Sequence, residues 1–305
     1  MKRRWRADAC LILCGVLVWF LADAERVRRA AAEALALCGG AVIPALFPFM
    51  AVSALLVALG FGEWLSPYLA GLMALFRQPG PAGSALLLGL VGGYPVGART
   101  ATELYQKGLL TADEAERLLG FCNNSNPVFL VSVLGSGVFG DVRIGVWLWL
   151  IHVLAALLTG LFFRGPKAPT RRRKPFSAPM VREMPPFQTA FVDAVRGACG
   201  TMLSVCGFVV LFYVLARPLA ALGGTAGAAL VGCMELFSVT PLLTADRIGF
   251  ILAAGCAGWG GLSIQCQSAA VLDGSGLRVR NCVFGKLLHG GISVVLAAGV
   301  CARLF

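Results

Sequence analysis

Two polar interruptions of an apolar sequence carry residues that could bind an anion. The first, at positions 92–100, reads GGYPVGART. Its glycines and proline stop one helix, and a second helix begins near Gly97, so free amide groups and the positive dipole end can face a negative charge. Arg99 and Thr100 fall in that first turn. The candidate substrate-binding residues of this motif are Gly93, Tyr94, Pro95, Gly97, Arg99 and Thr100.

The second interruption is NNSNP, at positions 123–127 of the apolar segment 118–138. Burying its side chains without partners would cost several kcal/mol in total, so they must bond each other, a neighbouring helix or a substrate. Asn123, Asn124, Ser125 and Asn126 therefore join the candidate site. A hydrogen-bonded clamp between helices is the alternative reading, as packing alone is for the glycine motifs.

The second half contains a matching set of polar residues. GGLSIQCQ, at positions 260–267, is followed by KLLHGG from position 286, and Glu235 lies in another apolar stretch. An ionisable residue inside a membrane segment is a functional candidate by default. Lys286 and Arg99 could instead extend to the interface, and His152 reads as a packed core histidine. The candidates here are Glu235, Ser263, Gln265, Gln267, Lys286 and His289.

Composition requires a lipid environment for these residues. The chain has 305 residues, of which 58% are hydrophobic and 13% charged. Such a balance excludes a soluble enzyme, a disordered chain and a nucleic-acid-binding domain. No GxSxG, HExxH, P-loop or CxxC pattern is present, and only two histidines occur. We therefore expect no catalytic residues, no metal and no cofactor.

Charge and hydropathy predict an all-α, polytopic membrane protein with about eight or nine membrane segments of roughly 20 residues. The net charge of +11 is concentrated at positions 2–6 and 164–182, which the positive-inside rule places in the cytoplasm, with the N-terminus. An uncleaved first helix is favoured over a signal peptide at 1–24. If both basic clusters are cytoplasmic, the number of spans between them requires residues 83–105 to begin and end on the same face of the membrane. This predicts a re-entrant hairpin.

The second half repeats this pattern from the opposite face. We therefore predict two inverted repeats, each with a re-entrant hairpin and a broken helix, and a site at the bilayer midplane. The predicted hairpins are 83–105 and 248–272, and interrupted segments follow at 118–138 and 280–304. The predicted organisation is an N-terminal helix and short loop (1–33), a first repeat (34–163), a basic proline-rich cytoplasmic linker (164–196) and a second repeat (197–305).

GGYPVGART, then EAERLLGFCNNSNPVF, GGLSIQCQ and KLLHGG together resemble the YlbJ (SpoVV) family of sporulation integral membrane proteins. The resemblance covers residues 40–163 and 190–300. It implies a nucleoside-recognition or gate domain, similar to concentrative nucleoside transporters. It also implies a transporter of endospore-forming bacteria that moves dipicolinic acid across the outer forespore membrane. The chain departs from the family pattern after Glu235 and within GGLSIQCQ.

Dipicolinate is a planar pyridine dianion, and the candidate residues suit it. We expect Arg99 to bind one carboxylate and Lys286 the other, with Asn124, Asn126 and Gln267 around the ring, in an alternating-access cycle. A nucleoside or other small-solute carrier is one alternative. A non-transporting scaffold that depends on the basic segment 164–182 is another. Expected partners are dipicolinate and the lipid bilayer, with a homodimer and other sporulation membrane proteins left open, and no nucleic acid.

Overall fold

The computed structural model describes residues 2–166 and 185–305, and this part of the chain contains helices and no strand. The predicted basic cluster at 164–182 lies almost entirely outside the described residues. The first half contains α1 (Lys2–Ala22), α2 (Ala24–Leu37), α3 (Ile43–Ala58), α4 (Phe61–Leu75), α5 (Ala82–Gly92), α6 (Val96–Gln106), α7 (Ala112–Leu119), a π-helix (Val128–Val138) and α8 (Val142–Phe162). The second contains α9 (Phe187–Ala220), α10 (Gly224–Met234), α11 (Arg247–Trp259), α12 (Gly261–Leu272) and α13 (Arg280–Cys301).

Within the described residues, five helical segments are long and apolar enough to cross a membrane. Three shorter apolar helices accompany them, namely α5, the π-helix and α10. The apolar side chains of α1, such as Leu11, Leu17 and Leu21, are largely exposed, as a helix facing lipid requires. These features agree with a polytopic membrane protein, and the exact number of spans stays a prediction. The five segments are Ala24–Ala58, Val142–Phe162, Phe187–Ala220, Arg247–Leu272 and Arg280–Cys301.

Two of the predicted boundaries fall inside helices. The division at residue 33/34 falls inside α2, which continues through a π-helical turn (Cys38–Val42) into α3 as one helical segment. The glycines at 39 and 40 do not break this helix because the π-turn keeps the backbone bonded. The division at 196/197 falls inside α9, which begins at Phe187. The helix begins this early because alanine, phenylalanine and valine continue the apolar pattern toward the N-terminus.

Helices α5 and α6 pack side by side around a three-residue break at positions 93–95, as the predicted hairpin requires. Gly93 makes the turn possible, because its φ of +80° is a conformation that side chains rarely adopt. The following helix begins at Val96, next to the predicted start at Gly97. Whether this hairpin is re-entrant in a bilayer stays a prediction.

The second predicted hairpin, at 248–272, does not form. Only Gly260 separates α11 from α12, whereas a hairpin of two helices needs a loop of about two to five residues. Gly260, with a φ of +83°, deflects the helix without reversing it. As a result α11 packs along α13, while α12 lies against α9 and α6. This segment is therefore a broken helix.

The predicted interruption of the last segment is also absent, because α13 is continuous from Arg280 to Cys301. Its glycines serve close packing: a Cβ added to Gly258 of α11 would lie 2.7 Å from the Cα of Gly290. Small residues at such a contact let two membrane helices approach backbone to backbone. The interruption predicted at 118–138 is present, since residues 120–126 are not helical between α7 and the π-helix.

Candidate substrate site

The non-helical residues 120–126, here called the polar loop, are enclosed by backbone contacts that only glycine permits. A Cβ on Gly97 would overlap the carbonyl oxygen of Cys122, and a Cβ on Gly285 would overlap that of Gly120. The loop is thereby held between α6 of the first half and α13 of the second. A Cβ on Gly93 would lie 2.9 Å from the Cβ of Asn126, so the hairpin break also lies against the loop.

Lys286 of α13 projects into this contact and is 1% exposed. Its Nζ atom donates to the main-chain oxygen of Asn123 at 3.0 Å and lies 3.0 Å from Nδ1 of His289. The same Nζ lies 4.8 Å from the centroid of the Tyr94 ring, a cation–π distance. Among the described residues, no carboxylate forms an ion pair with Lys286. The ammonium group is thus buried among neutral partners.

Two histidines from different helices extend this contact. Nε2 of His289 lies 3.1 Å from the main-chain oxygen of His152, and the two ring centroids are 4.3 Å apart. The amide of Ser125 donates to Nε2 of His152 at 2.9 Å. These bonds assign the protons: the His289 ring carries its proton on Nε2 and accepts from Lys286 at Nδ1. Within the described residues, Nδ1 of His152 has no hydrogen-bond partner.

Asn123 and Tyr94 tie the cluster to the broken helices. The Asn123 amide donates to Oγ of Ser268 on α12 at 2.9 Å, and its side-chain oxygen accepts from the Ala98 amide at 3.4 Å. The Tyr94 hydroxyl donates to the main-chain oxygen of Ala257 on α11 at 2.9 Å. We call the following residues the Lys286 cluster: Tyr94, Asn123, Ser125, His152, Ser268, Lys286 and His289.

The other amide candidates bond their own surroundings. Asn124 donates to the main-chain oxygen of Phe121 at 2.9 Å, and Asn126 donates to that of Ala45 at 2.9 Å. Gln265 donates to the main-chain oxygen of Trp259, and Gln267 donates to Oγ of Ser263. These side chains brace the polar loop and the break between α11 and α12. The structure does not gather them around Lys286.

The structure does not bring Arg99 together with Lys286, the two cations predicted to bind the two carboxylates of one substrate. Arg99 pairs with Glu103 at 2.9 Å and donates to Thr201 of α9 at 3.2 Å. It lines a separate cavity of about 390 Å³. The reason is helical geometry: the Cβ position of Gly97 faces Cys122 of the loop, and a residue two positions later on a helix points about 200° further around the axis. Thr100 is buried, and within the part of the chain that the structure describes no hydrogen bond joins its side chain to the residues around Lys286.

Glu235 is fully buried where α10 ends, and its backbone lies against Gly261, at the break between α11 and α12. Its Oε2 accepts from the amide and the hydroxyl of Ser238, each at 2.5 Å. Its Oε1 has no hydrogen-bond partner among the described residues. Glu235 shares no bonding partner with Lys286, so the structure keeps the two charged candidates apart.

Sequence reasoning missed two members of the cluster. His152 reads as a core histidine because the apolar span around it is uninterrupted, yet its ring and carbonyl both face the cluster. Ser268 lies just beyond the GGLSIQCQ motif. The signal for His152 was available, since a histidine at the middle of a membrane span is costly to bury without a role.

The chain is 29% identical to the sporulation integral membrane protein YlbJ of Bacillus subtilis (strain 168), over an alignment of 300 residues. That alignment covers 83% of this chain and 72% of YlbJ. This similarity supports membership of the YlbJ family. The long apolar helices indicate an integral membrane protein, in agreement with the name of this relative. No family model matches the sequence. No solved structure matches it significantly.

Proposed function

We propose that this YlbJ-family protein is a membrane transporter that binds a small carboxylate anion, dipicolinate, at the Lys286 cluster. By the family resemblance, it acts in the mother-cell-derived outer forespore membrane. The observation that carries the proposal is the Lys286 ammonium group, 1% exposed and without a carboxylate partner among the described residues.

A buried charge is stable only when an opposite charge or strong hydrogen bonds replace the water it has lost, and breaking a buried pair costs about 3–5 kcal/mol. Lys286 has three donor protons. Among the described residues these protons have two hydrogen-bond acceptors, the main-chain oxygen of Asn123 and Nδ1 of His289. Its third neighbour is the face of Tyr94. An anion that enters beside this face would supply both the missing acceptor and the missing charge.

The surrounding groups suit a flat, aromatic carboxylate. The Tyr94 ring offers a planar surface. Beside it, the Asn123 amide group can donate a hydrogen bond, and the Ser268 hydroxyl is available as a second polar group. Because Arg99 lies elsewhere, one cation binds one carboxylate here.

The cluster lies between the α5–α6 break and the α11–α12 break, two places where helices can rotate about short segments. Movement at each break would open the site to one face in turn, the alternating access that the proposal requires.

A single cation also makes the runner-up, a nucleoside carrier, worth testing in the same assay. Purified protein would be reconstituted into liposomes that are loaded with dipicolinate. Uptake of labelled dipicolinate would then be measured with and without external uridine. We expect uptake that unlabelled dipicolinate inhibits and uridine does not. Inhibition of dipicolinate uptake by uridine would favour the nucleoside carrier.

The variant Lys286→Met tests the site. It removes the charge while keeping a long apolar side chain, and we expect at least about a tenfold loss of dipicolinate uptake. Arg280→Met is the matched control, because it removes an exposed cation from the same helix. Both proteins must elute as single species in detergent. Uptake by Lys286→Met at the control's rate would overturn the proposed site.

A further inference from the structure

We propose that Lys286 and His289 couple the anion to a proton, so that one proton accompanies each anion through the site. This inference rests on the proposed function and adds its driving force. The geometry that carries it is a buried amine in direct hydrogen-bond contact with an imidazole nitrogen, at 3.0 Å, with no carboxylate paired to either group among the described residues.

An amine in this position has two stable states. With an anion bound, the ammonium group and the carboxylate neutralise each other. Without the anion, an ammonium ion would remain in a membrane interior with neutral partners only, which costs several kcal/mol. Loss of one proton removes that cost. The empty site then carries no charge, and the site loaded with the dianion carries one net negative charge in place of two, so both states can cross between the two open faces.

The groups around Lys286 leave His289 as the nearest proton acceptor. Tyr94 presents its ring face from the hairpin break, and its hydroxyl already donates to Ala257. Cys122 of the polar loop and Cys282 of α13 lie near Nζ, and Cys122 donates to the oxygen of Gly97. On α8, the Nε2 of His152 is occupied by the Ser125 amide. Among the described residues, Nδ1 of His289 is the basic nitrogen in hydrogen-bond contact with the ammonium group, whose other acceptor is the weakly basic main-chain oxygen of Asn123.

The transfer is a simple acid–base step. As the anion leaves, one Nζ–H bond of Lys286 breaks, and its electron pair stays on Nζ. The proton binds the Nδ1 lone pair of His289, and the resulting imidazolium releases its Nε2 proton to a water molecule admitted as the anion exits. The reverse sequence recharges Lys286 when the next anion enters. Nothing is oxidised or reduced, and water is the only co-reactant.

Liposomes that contain the full chain and an internal pH-sensitive dye test this coupling. An inward gradient of dipicolinate would be applied at equal pH on both sides, with the membrane potential held at zero by potassium and valinomycin. Anion exchange would be measured separately, as entry of labelled dipicolinate against unlabelled dipicolinate inside. We expect wild-type protein to acidify the interior and to perform exchange.

The variant His289→Asn isolates the relay. Its side-chain oxygen can still accept from Lys286 but binds no proton near neutral pH. We expect the ratio of net uptake with acidification to exchange to fall at least about tenfold, because the loaded site still crosses whereas the empty, charged site does not. Lys286→Arg is the second variant. Because arginine stays charged, it should show the same fall in net uptake relative to exchange. Arg280→Met should behave as wild type.

The outcomes separate the two proposals. Wild-type exchange and net uptake without acidification would overturn the proton coupling while the transport function stands. Absence of wild-type exchange would instead contradict the transport function itself. Acidification by His289→Asn at the wild-type rate would overturn the role of His289. If His289→Asn fails to fold, net uptake with acidification by Lys286→Arg would overturn the coupling in the same way.

Discussion

The Nζ atom of Lys286 lies 3.0 Å from the main-chain oxygen of Asn123, a residue 163 positions earlier in the chain. This bond joins the two halves of the protein at a non-helical segment. Backbone that leaves its helix at membrane depth must find partners within the protein. Here the partner of the polar loop is the same charged group that we propose binds the substrate, so stability of the loop and occupancy of the site are linked.

Replacement of Gly97 by alanine should separate the hairpin from the polar loop. The added Cβ would overlap the carbonyl oxygen of Cys122, which belongs to backbone and cannot rotate away. We expect Gly97→Ala to destabilise the fold by about 1–3 kcal/mol. Gly71→Ala is the control, because no atom lies within contact of a Cβ there and alanine favours a helix. Thermal unfolding in detergent measures both, and equal midpoints for the two variants would contradict the proposed contact.

The ring and the hydroxyl of Tyr94 should have separable effects. Tyr94→Phe removes only the bond to Ala257, so we expect a loss of about 1 kcal/mol in stability and an unchanged KM for dipicolinate. Tyr94→Leu also removes the ring that faces Lys286, a contact worth about 2 kcal/mol when desolvated, and should raise the KM as well. Transport kinetics in liposomes distinguish the two. The idea fails if phenylalanine raises the KM as much as leucine does.

Asn126 should act in folding and not in substrate binding. Its amide donates to the oxygen of Ala45, and its own oxygen accepts from the Phe129 amide at 2.8 Å. Asn126→Ala removes both bonds and leaves the buried Phe129 amide without its acceptor, at about 1–3 kcal/mol. Ser136→Ala, at an exposed position of the π-helix, is the control and should change stability by less than about 0.5 kcal/mol. An Asn126→Ala protein with normal stability and no transport would show that the side chain binds substrate after all.

Local features of this fold could be read from the sequence because short segments determine them. Thr-Ala-Asp-Glu at positions 111–114 has the spacing of a capping box, and each of the two end residues bonds the other's amide through its side chain. The breaks at GGYP and NNSNP are also present where proline, glycine and asparagine leave a helix unable to continue. At each of these places, residues within about one helical turn supply the decisive interaction.

Relationships across the chain were not readable in the same way. Arg99 and Lys286 look equivalent in the sequence, and only the rotation of α6 directs Arg99 toward Thr201 and away from the cluster. The two glycine motifs likewise look alike, yet three residues separate α5 from α6 and a single glycine separates α11 from α12. The direction in which a helix leaves a glycine depends on what it packs against.

The bond between Asn123 and Ser268 spans 145 positions, which sets an order of events during synthesis. At about 5–20 residues per second, a ribosome needs roughly 7–30 s to travel that far. For this interval the polar loop has been synthesised without Ser268 of α12 and Lys286 of α13, which later bond it. The first half must therefore wait at the bilayer surface or beside the insertion machinery. It can settle at full depth only once the last helix has been made.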